Sequence, residues 1–299
     1  SVSFYGESMA ISVEVDESSL YQLEMNSLLD VIYHHYGYDY RNYAKRSVLS
    51  RLLWRKEQWN LRHLSDLIPL VLHSESHFQV LLSDLSITVT EPFRDPDFYA
   101  ALLEEVFPFL DTFPFFKIWH AGCATGEEVY SLAILLKEHE LLDRAQIYAT
   151  DINPAALKTA QKGIYPEHFL TKYQAQYVKA GGQNRLDSYF RRGYGNIIVD
   201  DNIRRRIIFS MHNLVMDQSF GVMELIICRN VMIYFNGTLK ARVFRLFANS
   251  LYHTGYLCLG ASELLNCDEH PEFSAVRRKA KIYRKAAEHS TSELLENVS

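Results

Sequence analysis

Apolar and polar positions divide the chain into two regimes. Up to about residue 85 apolar residues recur at helical spacing, whereas from Phe115 onward short apolar runs alternate with amphipathic stretches. In the first regime Asp16 and Ser18 read as start residues for a helix over 20–36. Leu20, Leu23, Leu28 and Ile32 give it an apolar face, and Gly37 is its stop. A second helix fits 43–59, and two shorter ones fit 64–72 and 75–85. The pattern therefore predicts a small all-helical domain over 17–85, behind a flexible lead-in over 1–16. Residues 86–97 break the periodicity. Pro92 and Pro96 punctuate this linker, and Asp97 is placed to cap a helix over 98–110.

The second regime reads as a parallel sheet with helices on both faces. Its first unit is an apolar strand (Phe116, Ile118, Trp119), a small-residue loop over 121–126, and a helix with Val129, Leu132, Ala133 and Leu136 on its apolar side. A second strand over 146–151 leads through Asp151-Ile152-Asn153-Pro154 into a helix over 155–162. Residues 163–209 interrupt the alternation. Gly181-Gly182, the Arg191–Gly195 run and the β-prone segments 196–199 and 206–209 predict helices followed by a small antiparallel sheet, inserted in the larger fold. The main sheet resumes at 207–210 and again from Glu224 to Asn236, an apolar strand ending in Cys228-Arg229-Asn230. A helix over 239–251 and strands over 256–260 and 281–284 complete a domain spanning 98–287, and a polar tail follows over 288–299.

A strand, a glycine turn and a helix N-terminus make a nucleotide-type pocket. Gly122 and Gly126 let backbone approach a ligand closely. Glu127 and Glu128 in the first helical turn suit the helix dipole but would repel a phosphate. The G-x-G-x-x-G of dehydrogenases and the G-x-x-x-x-G-K-[ST] of P-loops are both missing. An acidic residue ending the second strand, Asp151, is placed to bind a ribose diol. Together these features point to S-adenosylmethionine (SAM), which is cationic at sulfur, free of phosphate, and carries a ribose.

Composition narrows the picture further. With 299 residues, 48% hydrophobic, the chain has ample core for one large or two ordinary domains. A net charge of −5 gives no global case for nucleic acid or an anionic membrane, and no apolar run has spanning length. The 4 cysteines form no CxxC pair and the 12 histidines no H-E-x-x-H, so neither a zinc site nor a disulfide framework is indicated. Asp200-Asp201 reads as a turn, and Cys228 as a small apolar wall. A cytoplasmic monomer with reduced thiols is expected. The second helix is basic, with Arg46, Arg51, Arg55 and Lys56; Arg51 and Arg55 share a face, which is either solvated or a docking surface for an acidic partner. Arg94 in the linker reads either as a structural tie or as a site residue.

The runs Ala121–Ser131 (AGCATGEEVYS), Ala149–Asn153 (ATDIN) and Cys228–Phe235 (CRNVMIYF) resemble the chemotaxis-receptor glutamate O-methyltransferases, the CheR family, and the likeness extends in order over about 17–287. The resemblance implies a Rossmann-like SAM-dependent methyltransferase sheet with an inserted antiparallel β-subdomain, behind an all-α domain. It implies that Arg94, Glu128, Asp151, Asn213, Leu214, Cys228 and Arg229 line the SAM site, with Thr88 and Thr90 beside it and Tyr234 near the transferred methyl. Arg94 and Tyr234 would be the catalytic pair, one a positioning clamp and the other fixing acceptor or methyl. It further implies that the Arg46–Lys56 region meets the acidic coiled coil of a chemoreceptor cytoplasmic domain. Several relatives also bind a receptor's C-terminal tail peptide through the β-subdomain. Three positions depart from the family pattern: Pro92 for an aromatic, His120 for a small residue, and Val129 for proline. They flank the matched positions rather than replace them. The implied reaction forms glutamate methyl esters and S-adenosylhomocysteine (SAH). Two other readings stay open: a SAM methyltransferase with a different acceptor, and a regulatory protein that binds SAM or SAH without turnover.

Overall fold

The computed structural model describes residues 17–86 and 90–286, in two compact units. The expected lead-in, the polar tail and Thr88 fall outside the described residues. The first unit comprises residues up to Arg41 together with Lys45–Leu81. It holds α1 (Glu17–Tyr36), α2 (Lys45–Gln58) and α3 (Leu67–His73), and α4 (Glu75–Leu85) begins in it. Met25, Leu28, Leu29 and Ile32 are the buried face of α1. Leu20 and Leu23, expected on that face, are exposed: at 100° per residue they point away from the stripe of Met25, Leu28, Leu29 and Ile32. Gly37 ends the helix with φ +77 and donates its N–H to Tyr33 O, the left-handed stop that glycine accommodates at no cost.

In the second unit the helix expected over 98–110 is two helices, α5 (Pro96–Glu105) and α6 (Phe107–Asp111). Pro108 has no N–H to continue the ladder, so the chain restarts at Val106. Asp95, not Asp97, is the N-cap residue of α5, and Asp97 sits in its first turn.

The main fold then runs β1 (Phe116–Ala121), α7 (Glu127–Glu138), β2 (Ala145–Asp151), α8 (Pro154–Lys162), β3 (Ile164–Pro166), α9 (His168–Lys179), β4 (Phe190–Gly193), β5 (Asn196–Val199), α10 (Asp201–Arg204), β6 (Ile207–Met211), β7 (Met223–Cys228), α11 (Gly237–Ser250), β8 (Leu251–Leu259), β9 (Phe273–Arg277) and β10 (Ile282–Lys285). Seven strands form one sheet in the order β6-β2-β1-β7-β8-β10-β9, parallel through β8 and antiparallel at the β10 and β9 pairings. Residues 207–209, assigned both to the insert and to the resumed sheet, lie in β6, which pairs with β2 and belongs to the sheet. The insert is the three-stranded antiparallel sheet β3-β5-β4 with α9 packed in its connection. Asp200 and Asp201 serve a helix start: Asp200 caps α10, and Asp201 pairs with Arg191 and Arg204.

Alternation along β1 divides the core in two. Phe116 and Ile118 face the layer of α5, α6 and α7, while Trp119 and Ala121 face that of α11. Strand order reverses between β1 and β7, so the crevice beyond their carboxyl ends is the place where an open α/β sheet binds ligands.

Candidate active site

Three loops meet at that crevice, following β1, β2 and β7. The β1 loop turns sharply: Gly122 has φ +77 and Gly126 φ +94. A Cβ on Gly122 would lie 2.3 Å from Val231 Cγ2 in the β7 loop, so the two loops approach only because position 122 is glycine. The N–H groups of Gly122 and Cys123 bond Thr150 O at 2.8 and 2.9 Å, tying the β1 loop to the end of β2.

Asp151 at the end of β2 is buried. Its Oδ2 accepts the N–H of Ala124 at 2.8 Å and its Oδ1 that of Asn153 at 2.9 Å. The cap of α8 is Asn153, whose side chain accepts from the N–H groups of Ala155 and Ala156. Asp151 therefore holds the glycine loop rather than capping a helix, and each of its oxygens keeps acceptor capacity for a hydroxyl. Burial raises its pKa, against the backbone N–H groups that stabilise the ion.

Glu128, in the first turn of α7, lies in a buried charge network. Its Oε2 accepts from Arg229 Nη1 at 2.6 Å, and its Oε1 is 3.1 Å from His120 Nε2. Arg229 Nη2 reaches Asp95 Oδ2 at 2.6 Å, and its guanidinium stacks over the Phe98 ring at 4.1 Å. Burial alone would raise the Glu128 pKa, but the guanidinium and the imidazole bring it down to about 2. Burial likewise works against the charge of Arg229, yet Glu128, Tyr99 and Asp95 hold its pKa above the ordinary value.

Arg94 and Arg229 divide the expected roles unevenly. The Arg94 side chain is partly exposed, with Nε 3.8 Å from Glu91, and only its carbonyl contacts the network, accepting from Arg229 Nη1 at 3.4 Å. The inward-facing cation is Arg229. Asp95 and His120 are network members that sequence reasoning missed as contacts. His120 stood out only as a departure from a small residue, and Asp95 carried no signal beyond its place next to Pro96.

The other expected residues fall as follows. Thr90 is half-buried. Asn213 makes an Asx turn, its Oδ1 accepting the N–H of Val215 at 2.9 Å, and Leu214 is buried beside it. Both follow β6 rather than extending the sheet. Cys228 is fully buried at the end of β7, and burial pushes its thiol pKa well up, as befits a wall and not a nucleophile. Tyr234 ends a short 3-10 turn, Met232–Tyr234, and is half-buried. Arg46, Arg51, Arg55 and Lys56 lie on α2 in the other unit. There the Arg55 guanidinium sits 4.8 Å from the Trp54 ring centroid and 5.0 Å from that of Trp59, a cation between two indoles.

Three buried polar atoms at the ends of β1 and β7 lack a hydrogen-bond partner among the described residues: His120 Nδ1, Arg229 Nε and Asn230 Oδ1. Native interiors seldom leave such atoms unpaired away from a ligand or water. Together with a phosphate-repelling acidic helix start and a strand-end carboxylate, they fit a phosphate-free, hydroxyl-bearing, zwitterionic ligand such as SAM. Among the described residues no group of His, Cys, Asp and Glu could hold a metal ion, and no helix is long and apolar enough to cross a membrane.

Residues 88–282 match the family described as CheR methyltransferase, SAM binding domain, and residues 23–86 match CheR methyltransferase, all-alpha domain. The chain is 43% identical over 265 residues to a Pseudomonas putida protein named Cher3, covering 88% of this chain and 97% of that one. It is 29% identical over 266 residues to a chemotaxis protein methyltransferase of Borreliella burgdorferi, covering 84% and 91%. It is 32% identical over 237 residues to a chemotaxis protein methyltransferase of Vibrio parahaemolyticus, covering 76% and 82%.

Proposed function

The chain belongs to the CheR methyltransferase family, and from that premise we propose that it transfers methyl groups from SAM to glutamate carboxylates of chemoreceptor cytoplasmic domains. The observation that carries the reading is the meeting, at the switch point of the sheet, of a glycine loop, the strand-end carboxylate Asp151 and the buried Glu128–Arg229 pair. Asp151 would hold the ribose. Glu128 and Arg229 would face the amino and carboxylate groups of the methionine moiety, with Gly122, Asn213, Leu214, Cys228 and Thr90 as walls. Thr88 joins them on the resemblance alone.

SAM supplies a methyl carbon on a sulfonium, and that carbon passes to a carboxylate oxygen as the carbon–sulfur bond breaks and sulfur keeps the electron pair. A glutamate carboxylate with an ordinary pKa near 4.3 is already ionised at neutral pH, so no general base is required. The residues' task is therefore to position oxygen and methyl in line. Tyr234, on the turn after β7, would orient the acceptor or the methyl, and Arg94 at the partly exposed rim would clamp the incoming carboxylate. Charge disappears as the reaction proceeds, so a site that excludes water favours it.

For docking, α2 supports an acidic partner through Arg51, Arg55 and the exposed Trp54, residue types that dominate interface energetics. In the insert β5 is central and β3 and β4 are the outer strands, so strand addition by a receptor tail at an outer edge is the second contact the fold supports. The test is transfer of labelled methyl from SAM to purified chemoreceptor cytoplasmic domains, followed by alkaline release of methanol. Base-labile label on the receptor is the expected result. Intact SAH binding without label on any receptor would move the assignment to another acceptor or to a sensor without turnover.

A further inference from the structure

Glu263 lies in the loop after β8, outside every motif considered above, and is buried. Its Oε1 accepts the N–H groups of Val231 at 3.0 Å and Met232 at 2.7 Å. Its Oε2 accepts those of Asn230 at 3.0 Å and Gly260 at 2.6 Å. One carboxylate thus collects three successive N–H groups of the β7 loop and one from the end of β8. Burial raises the Glu263 pKa, while the four N–H groups favour the ion.

The loop it gathers needs such a partner. Asn230 has φ +60, the left-handed conformation that asparagine adopts more readily than most residues with a side chain, so the chain turns sharply out of β7 there. Close packing continues on either side. A Cβ on Gly260 would lie 2.7 Å from Asn230 N and 2.8 Å from Glu263 Oε2, and Val231 fills the space that Gly122 leaves open. The carboxylate therefore locks the loops after β7 and β8 together, and Val231 of the locked segment packs against Gly122 of the β1 loop.

We propose that Glu263 is a positioning residue for methyl transfer: it sets the backbone of Asn230–Met232 and so places the turn that carries Tyr234. The proposal rests on the reading of Tyr234 given above. Arg229, one residue before the clamped segment, has side-chain anchors of its own in Glu128 and Asp95. Met232 opens the Met232–Tyr234 turn directly from the clamp. The far end of that turn is tied separately, Tyr234 O accepting the N–H of Ala44 and Asn42 O that of Asn236. Loosening the front of the turn should therefore act on turnover more than on cofactor affinity.

The experiment compares Glu263→Gln, Glu263→Asp and Gly260→Ala in the full chain by three measurements: receptor methylation, SAH calorimetry and amide hydrogen exchange. Glutamine keeps one acceptor oxygen and aims an NH2 group at donors, whereas alanine at 260 pushes the clamp from the opposite side without removing the charge. In wild type the amides of Asn230, Val231, Met232 and Gly260 should exchange slowly. In Glu263→Gln they should lose protection selectively, with kcat down by about tenfold or more and SAH affinity within about threefold, since misplacing a reacting group costs rate before binding. Glu263→Asp, which keeps the charge one methylene away, should recover part of the turnover. Unchanged kcat despite lost protection, or an SAH affinity that falls in step with kcat, overturns the positioning role. If Glu263→Gln does not fold, Gly260→Ala carries the same comparison. Failure of wild type to methylate any receptor would instead refute the proposed reaction, and the exchange pattern would still report whether the clamp exists.

Discussion

Removing the buried cation is the sharpest perturbation the site offers. In Arg229→Met the apolar stem is kept while the guanidinium bonds to Glu128 and Asp95 and the stacking on Phe98 are lost. The two ion pairs are unequal. The Glu128 side chain is 9% exposed and that of Asp95 44%, so the first pair counts as buried and the second is largely screened. Stranding a buried carboxylate costs about 3–5 kcal/mol, while the Asp95 arm adds about 1 kcal/mol or less. A loss on the order of 4 kcal/mol is a large share of the roughly 5–15 kcal/mol that holds a typical domain. At about 2–4 °C per kcal/mol it corresponds to a fall in Tm on the order of 10 °C.

The cost comes from the orphaned charge rather than from lost packing, so neutralising that charge should reverse much of it. Glu128→Gln combined with Arg229→Met should regain about half or more of the loss, because both members of the pair are then uncharged. SAH binding, read by calorimetry, should be abolished in both variants, so stability returns without function. Urea unfolding at matched conditions measures the first effect. A double variant no more stable than Arg229→Met, or a single variant within about 1 kcal/mol of wild type, would show that Glu128 and Arg229 are not a buried ion pair, since orphaning a buried carboxylate carries a larger cost than that.

Asp151→Ala removes the acceptor for two loop N–H groups and for the proposed ribose contact, and should weaken SAH binding by about tenfold or more in calorimetry; unchanged affinity would take Asp151 out of the site. Arg51→Glu with Arg55→Glu, on the unit remote in sequence from the sheet, should spare SAH affinity and depress receptor methylation, and intact methylation would end the docking role of α2. For Glu128 the sign follows from its low folded pKa, about 2 against an ordinary 4.5. Its contribution to stability is full above the unfolded value and is lost as pH falls through the folded one. The stability gap between wild type and Glu128→Gln should therefore narrow on acidification from about pH 5 to pH 2, and a gap independent of pH there would mean the pair is not ionised as described.

What could be read from the sequence was whatever has a local signature. The glycine turn, the acidic helix start and the strand-end Asp151 lie within or beside single strand–turn–helix units, where spacing dictates geometry. The errors have local causes too. Pro108 split a helix whose apolar periodicity runs straight through it, and Leu20 and Leu23 are apolar residues on the side of α1 turned away from the buried stripe. Strand β9 was missed because Phe273–Arg277 has only an edge position, with charged residues near it and one neighbour to satisfy.

Contacts made across the chain had no signature at all. Arg229 and Asp95 are 134 residues apart, and Asn230 and Glu263 are 33 apart. These are also the contacts that give the site its shape. Parallel strands end side by side, and each releases a loop whose N–H groups have left the ladder and must find acceptors. Asp151 and Glu263 supply those acceptors at the two sides of the crevice, and both are held as carboxylates by backbone donors rather than by cations. Glu128 alone is held by a cation, Arg229, with His120 beside it. Of the three carboxylates it is the one whose pKa is driven down, and the one whose charge a cationic ligand group would meet as a fixed, already desolvated ion. The acidic residues expected from sequence to contact the ligand are thus joined by one, Glu263, that shapes the loop instead, and the charge network separates the two tasks.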